Sequence, residues 1–199
     1  MKRDSLAIKE MYDSQAGDYV ARYNQLRDRK DYYNNWIIDN IKKLGSHQKI
    51  LEAGCGEATT LKPISEKIDS VFYGFDISEK RIDVAKNFAK GLNLFVSDMK
   101  KIPYEDNFFD LVYTAHSIEP NIGNEKVVIS ELYRVTKNFL LLIEPIYELS
   151  SNQSRERMDN LGYCRGLLDI CQDYNVVKVE MLDNPINPLN ETGIIVIQK

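Results

Sequence analysis

The chain has 199 residues, 43% hydrophobic and 28% charged, and its 26 Lys+Arg against 30 Asp+Glu give a net charge of -4. Length and composition suit one globular domain with a sizeable core and exclude a disordered or fibrous chain. The slight acidity gives no general attraction to nucleic-acid backbones or anionic lipid, so neither is expected as a partner.

No stretch reaches the ~18 consecutive apolar residues of a membrane span, and the N-terminus MKRDSLAIKEMYD lacks the apolar segment of a secretory signal, so a cytoplasmic location is expected. Cys55, Cys164 and Cys171 have no CxxC spacing, and His47 and His116 are the two histidines. The reading is three reduced thiols in or near the core and no metal site.

Residues 1–46 show no convincing strand. Leu6, Ile8, Met11, Tyr12, Tyr19, Val20, Tyr23 and Leu26 recur at helical spacing, followed by Tyr32, Tyr33, Trp36, Ile37, Ile41 and Leu44, closed by Gly45. The pattern predicts two or three helices forming a cap on residues 47–199, without a linker that would mark a second domain. After Gly45 the beat becomes strand, glycine turn, helix, strand. Strands are predicted over 49–54, 71–77, 92–97, 109–115, 138–144, 176–182 and 193–199, and helices near 59–68, 79–90, 124–136 and 153–173. Strands separated by helices or crossovers imply an α/β, doubly wound, Rossmann-like and mainly parallel seven-stranded sheet. The last two strands, joined by the turn-rich DNPINPLNET, are expected to form an antiparallel hairpin at one edge.

In such a sheet, ligands bind beyond the carboxyl end of the first strand, and here that turn reads KILEAGCGEATT at 49–60. Gly54 and Gly56 permit a tight turn and close approach of backbone to ligand. A dinucleotide fingerprint would need Gly or Ala where Thr59 stands, and its pyrophosphate would meet Glu57. Two like charges at ~4 Å cost roughly 4 kcal/mol at an effective dielectric near 20. Glu52 and Glu57 therefore favour a cationic ligand over NAD or FAD.

LEAGCGEAT resembles the first motif of the class I S-adenosylmethionine-dependent methyltransferases, an acidic residue separated by one position from G-x-G-x-G, with Ala58 in place of the third glycine. FYGFDIS resembles the second, and LFVSDMKKIPYEDNFFDLVYTAHSIEP the next two. The resemblance covers residues 45–145 firmly and implies S-adenosylmethionine as cofactor. It implies a cofactor site of Glu52, Gly54, Cys55, Gly56, Asp76, Ile77, Asp98, Met99 and Ala115. Asp76 would take the ribose hydroxyls, Asp98 the adenine amino group, and Met99 a face of the ring.

At the ends of the fourth and fifth strands stand His116 and Glu119, candidate catalytic groups, and Glu144. Tyr12, Tyr19, His116 and Glu144 are candidate acceptor-binding residues, the tyrosines on resemblance to the capping helices of small family members. No Asn-Pro-Pro-Tyr type motif follows the fourth strand, which disfavours nucleic-acid bases and side-chain amides. The short cap favours a small-molecule acceptor, with oxygen preferred. Alternatives are a binding protein that holds the cofactor without turnover and an enzyme transferring another group. Oligomeric state and acceptor leave no trace in the sequence.

Overall fold

The computed structural model describes residues 3–23 and 25–199. Three helices open the chain: α1 (Ser5–Asp13), α2 (Asp18–Tyr23) and α3 (Arg27–Lys43). The strands are β1 (Lys49–Ala53), β2 (Val71–Asp76), β3 (Asn93–Val96), β4 (Phe109–Ala115), β5 (Thr136–Pro145), β6 (Val176–Met181) and β7 (Thr192–Gln198). Between them lie α4 (Leu61–Ser65), α5 (Glu79–Phe88), α6 (Glu125–Val135), α7 (Asn152–Leu161) and α8 (Leu167–Cys171).

All seven strands join one sheet in the order β3-β2-β1-β4-β5-β7-β6. The first five are mutually parallel where they pair, and β7 runs antiparallel to both β5 and β6. The order reverses between β1 and β4, so a crevice opens at their carboxyl ends. The two final strands do pair antiparallel, but β7 is inserted beside β5 and it is β6 that forms the edge. Burial explains the insertion. TGIIVIQ is buried over six of its seven residues, whereas every residue of β6 is exposed or half-buried.

Strand alternation divides the core between the two faces. In β5, Leu141 and Ile143 enter one cluster with Ile37, Ile41 and Leu61, while Leu140 and Leu142 enter the other with Val128, Leu132 and Leu167. Ile194 and Val196 of β7 follow the first pair, Ile195 and Ile197 the second. The apolar face of α3 therefore closes one side of the sheet, and the cap is part of the core. Phe72 joins the first cluster and Phe75, Tyr73 and Phe95 pack with the second.

Two predicted helices are shorter than their sequence patterns. Residues 57–60 belong to the glycine turn, leaving α4 only Leu61–Ser65. The stretch 153–173 is broken into α7 and α8, because Gly162 and Gly166 adopt φ of 62° and 72°, left-handed values that end a helix. All three cysteines are buried free thiols. Among the described residues, no helix is long and apolar enough to cross a membrane.

Candidate functional site

The turn after β1 is wired by backbone. Gly54 has φ 75°, and a Cβ there would stand 2.4 Å from Ser117 Cβ, just past β4, and 2.5 Å from Met99 Cε, just past β3, so glycine is the residue that fits. Gly56, at φ 54°, donates its N–H to Asp76 Oδ2 at 2.9 Å, and Ser78 donates its N–H to Asp76 Oδ1 at 2.9 Å. Asp76 is 6% exposed. Burial pushes its carboxyl pKa up, opposed by the Ser78 bond, the Arg81 charge and the Gly56 bond. Ser78 caps α5 by accepting from Arg81 N, which aims the Arg81 side chain back over the turn. Ala58, in place of a third glycine, holds φ 59°.

The two glutamates of the turn have different fates. Glu57 is 1% exposed, and its carboxylate accepts from Gly17 N and Val20 N, both at 2.7 Å. It anchors the start of α2 and presents no free charge to a ligand, which corrects the expectation that it helps select a cation. Glu52, 2% exposed on β1, accepts the Tyr113 hydroxyl at 2.9 Å. Burial raises its pKa to about 8 against that bond and the Lys30 charge. It is largely neutral near pH 7 until a cation arrives beside it.

A slot of about 50 Å³ lies beyond Gly54, lined by Asp76, Ile77, Asp98, Met99 and, from the cap, Ile8 and Tyr12. Asp98 accepts from Lys100 N at 2.8 Å and from the Ser5 hydroxyl at 2.6 Å. That hydroxyl of α1 occupies the place where the resemblance sets an adenine amino group. A second tie, from the Ser78 hydroxyl to Asp13, seats α1 over the slot.

A chamber of about 370 Å³ adjoins the slot and shares Gly54, Arg81 and His116 with it. Glu52, Cys55, Gly56, Ala115, Glu119 and Tyr19 also line it. His116 sits at the end of β4 with φ 56°, a left-handed conformation that costs a non-glycine residue and marks a held position. Its Nδ1 is 2.6 Å from Glu119 Oε1 and its Nε2 is 2.9 Å from Thr192 Oγ1. Asn190 Nδ2 lies 2.9 Å from the same Nδ1 and 3.2 Å from the same carboxylate oxygen. An imidazole nitrogen and a carboxylate oxygen this close need a proton between them, so Nδ1 is the donor and Nε2 is left to exchange with the Thr192 hydroxyl. Burial works to lower the His116 pKa, but the charge of Glu119, its hydrogen bond and the charge of Glu144 raise it overall.

Glu144 is not brought to either cavity. Its Oε1 accepts from the backbone N–H groups of Ser117 and Ile118 at 3.1 and 3.2 Å, which props the loop carrying His116 from behind. Burial, then the Glu119 charge, raises its pKa to about 7. Tyr12 and Tyr19 face the site on either side of Arg81, whose guanidinium carbon lies 4.4 and 4.3 Å from their ring centroids.

Sequence reasoning missed several lining residues. Asn190 and Thr192 lie in a stretch read as a turn, more than 70 positions from His116. Arg81 is a helix residue with no periodic signal beyond its place five after Asp76. Lys30 and Arg157 were not among the candidate site residues, and Tyr33 entered only as part of a helical spacing pattern. Tyr33 is 2% exposed and lines the chamber, and its hydroxyl is buried without a partner.

The family described as "Methyltransferase domain" matches residues 51–139. A demethylmenaquinone methyltransferase of Streptomyces avermitilis is 27% identical over 136 residues, 63% of this chain and 58% of its own length. The enzyme of the same name from Staphylococcus haemolyticus is 32% identical over 142 residues, 66% of this chain and 58% of its own length. The chain thus spans less than two thirds of these curated relatives. Among solved structures, magnesium protoporphyrin IX methyltransferase from Synechocystis with bound SAH superposes with a TM-score of 0.72 at 14% identity, covering 98% of this chain and 100% of that one. At that identity the likeness concerns the fold.

Proposed function

We propose that the chain is a class I S-adenosylmethionine-dependent methyltransferase and that it transfers the methyl group of S-adenosylmethionine to a small-molecule acceptor, with oxygen as the receiving atom. The observation that carries this reading is the meeting of two cavities at Gly54, Arg81 and His116, one with the buried Asp76 carboxylate and one with an imidazole tied to a carboxylate.

The residues present fit the cofactor. The cleft at Gly54 is one that a Cβ would fill, and Arg81 leaves Nε and Nη2 buried without partners beside it. Asp76 would hold the ribose hydroxyls, Ile77 and Met99 the faces of the adenine, Glu52 the ammonium and Gly56 the close approach of the methionine chain. When bound, the cofactor supplies an electrophilic methyl on a sulfonium that departs as a neutral thioether.

The chain's own part is alignment and one proton. Holding the acceptor about 3 Å from the methyl and in line with the C–S bond can supply ~7–11 kcal/mol, and a positioned base typically ~10²–10⁴ in rate. Glu119 fixes the tautomer of His116 through Nδ1, which leaves Nε2 as the base. An acceptor hydroxyl that reaches Nε2 displaces the Thr192 hydroxyl, which turns to the Asn190 carbonyl 3.0 Å away. The imidazolium that forms is stabilised by Glu119.

Calorimetry with S-adenosylmethionine and S-adenosylhomocysteine, followed by transfer of labelled methyl from the former into a metabolite extract, tests the reading. Binding of both with transfer that His116→Ala depresses supports it. No binding sinks it, and binding without transfer would favour a non-catalytic holder of the cofactor.

A further inference from the structure

The acids and bases that line the chamber are not equally satisfied. Glu57 is spent on two backbone N–H groups of the cap, Glu119 on His116 and Asn190, and Glu52 on the Tyr113 hydroxyl. The cations have no such partners. Arg81 is 5% exposed, stacks on two tyrosine rings and leaves Nε and Nη2 without acceptors. Arg157 gives Nη1 to the neutral Asn190 amide oxygen at 2.7 Å, and the Nδ2 of that same amide meets His116. Lys30 is pushed down from its ordinary pKa by burial, with the Glu52 charge opposing. The chamber is lined by four basic side chains, Arg22, Lys30, Arg81 and Arg157, against three acidic ones, Glu52, Glu57 and Glu119, so cationic groups outnumber anionic ones, and Arg81 keeps buried N–H groups with no acceptor.

The cofactor brings one carboxylate, and one cation suffices for it. Arg81 is the group placed for that, since it lies in both cavities and its Nη1 stands 3.4 Å from where a Cβ on Gly56 would be. Lys30 and Arg157 line only the chamber.

Resting on the methyltransferase reading, we propose that the acceptor is an anionic small molecule, a carboxylate or phosphate ester, whose acidic group is held by Arg157 and Lys30 while its hydroxyl meets His116. Tyr33, whose buried hydroxyl has no partner, belongs to the same wall. The methyl passes to the acceptor oxygen, the C–S bond electron pair stays on sulfur, and the hydroxyl proton goes to His116 Nε2. The acidic group of the acceptor takes no part in bond making.

A metabolite extract split on an anion-exchange resin tests this with the wild-type chain. Each fraction is incubated with methyl-labelled S-adenosylmethionine, with and without prior phosphatase treatment. Label arising from the retained, anionic fraction is the expected result, and its loss after phosphatase identifies a phosphate rather than a carboxylate. Label arising from the unretained fraction overturns the proposal and leaves the methyltransferase reading standing. Label from neither fraction overturns both, and calorimetry with S-adenosylhomocysteine then says whether cofactor binding failed too. Within the active fraction, Arg157→Gln and Lys30→Gln should each raise KM about tenfold or more, the loss of one charged hydrogen bond, with the S-adenosylhomocysteine Kd within about twofold. Unchanged KM in both folded variants would also overturn the assignment.

Discussion

The glycine turn and the chamber wall are built on opposite principles. In the turn, Gly54, Gly56, Asp76 and Ser78 come from the ends of two adjacent parallel strands, and their bonds are backbone N–H to carboxylate, with little choice of geometry. In the wall, His116, Glu119, Asn190, Thr192 and Arg157 come from β4, β7, α7 and the loops beside them, joined by side chain to side chain. The first region is preorganised by the sheet itself. The second depends on a long connection bringing Asn190 and Thr192 back across β5. Recognition of a common cofactor suits the rigid part, and acceptor choice suits the part that loops can vary.

The contrast can be broken hardest at the turn. Gly54→Ala puts a Cβ into Ser117 and Met99 at a left-handed φ, so a loss of about 3 kcal/mol in denaturant unfolding and abolished cofactor binding by calorimetry are expected. Next is the tie between turn and cap. Glu57→Gln leaves one of the two N–H donors facing an amide NH₂, and the cap should loosen by about 2 kcal/mol, read by hydrogen exchange at Gly17 and Val20.

The wall should respond in pH profile more than in stability. Glu119→Gln removes the anion that holds the His116 pKa up, so the pKa falls. The rising limb of kcat/KM then moves to lower pH, with turnover reduced about tenfold by loss of tautomer control. A limb that stays in place would show that His116 is a structural residue of the pocket.

Glu52 joins the two regions and has a sign of its own. Its pKa is raised from 4.5 to about 8 by burial, so the folded state holds the proton more tightly than the unfolded chain. Its stabilising contribution is full below about pH 4.5 and is lost as pH rises through about 8. Wild type should therefore lose melting temperature relative to Glu52→Gln between those limits. Cofactor affinity should run the other way, rising toward pH 8 as the carboxylate forms beside the ammonium, and Glu52→Gln should flatten it. The smallest effect is expected at Ala58. Glycine there would relieve ~1 kcal/mol of left-handed strain but remove a buried methyl worth ~0.8 kcal/mol, so Ala58→Gly should stay within about 1 kcal/mol of wild type.

Strand periodicity and glycine punctuation are local signals, which is why the seven strands and the cap were legible from residues alone. Asp76 and Met99 were singled out by the resemblance of their strand-end motifs, and the structure sets both beside the glycine turn in one slot. The role of Glu57 was not legible, because the donors that claim it lie 37 and 40 positions away in the cap. Nor was the break between α7 and α8, where two glycines choose left-handed φ only once the chain must turn.

Alone, then, the sequence specified an α/β sheet with a glycine turn after its first strand, because apolar alternation and glycine conformational freedom act over a few residues. Tertiary structure decided which acids remain charged, which bases remain unpartnered, and that β7 carries Thr192 to His116. Those outcomes depend on burial and on contacts between distant segments, and no short stretch encodes either.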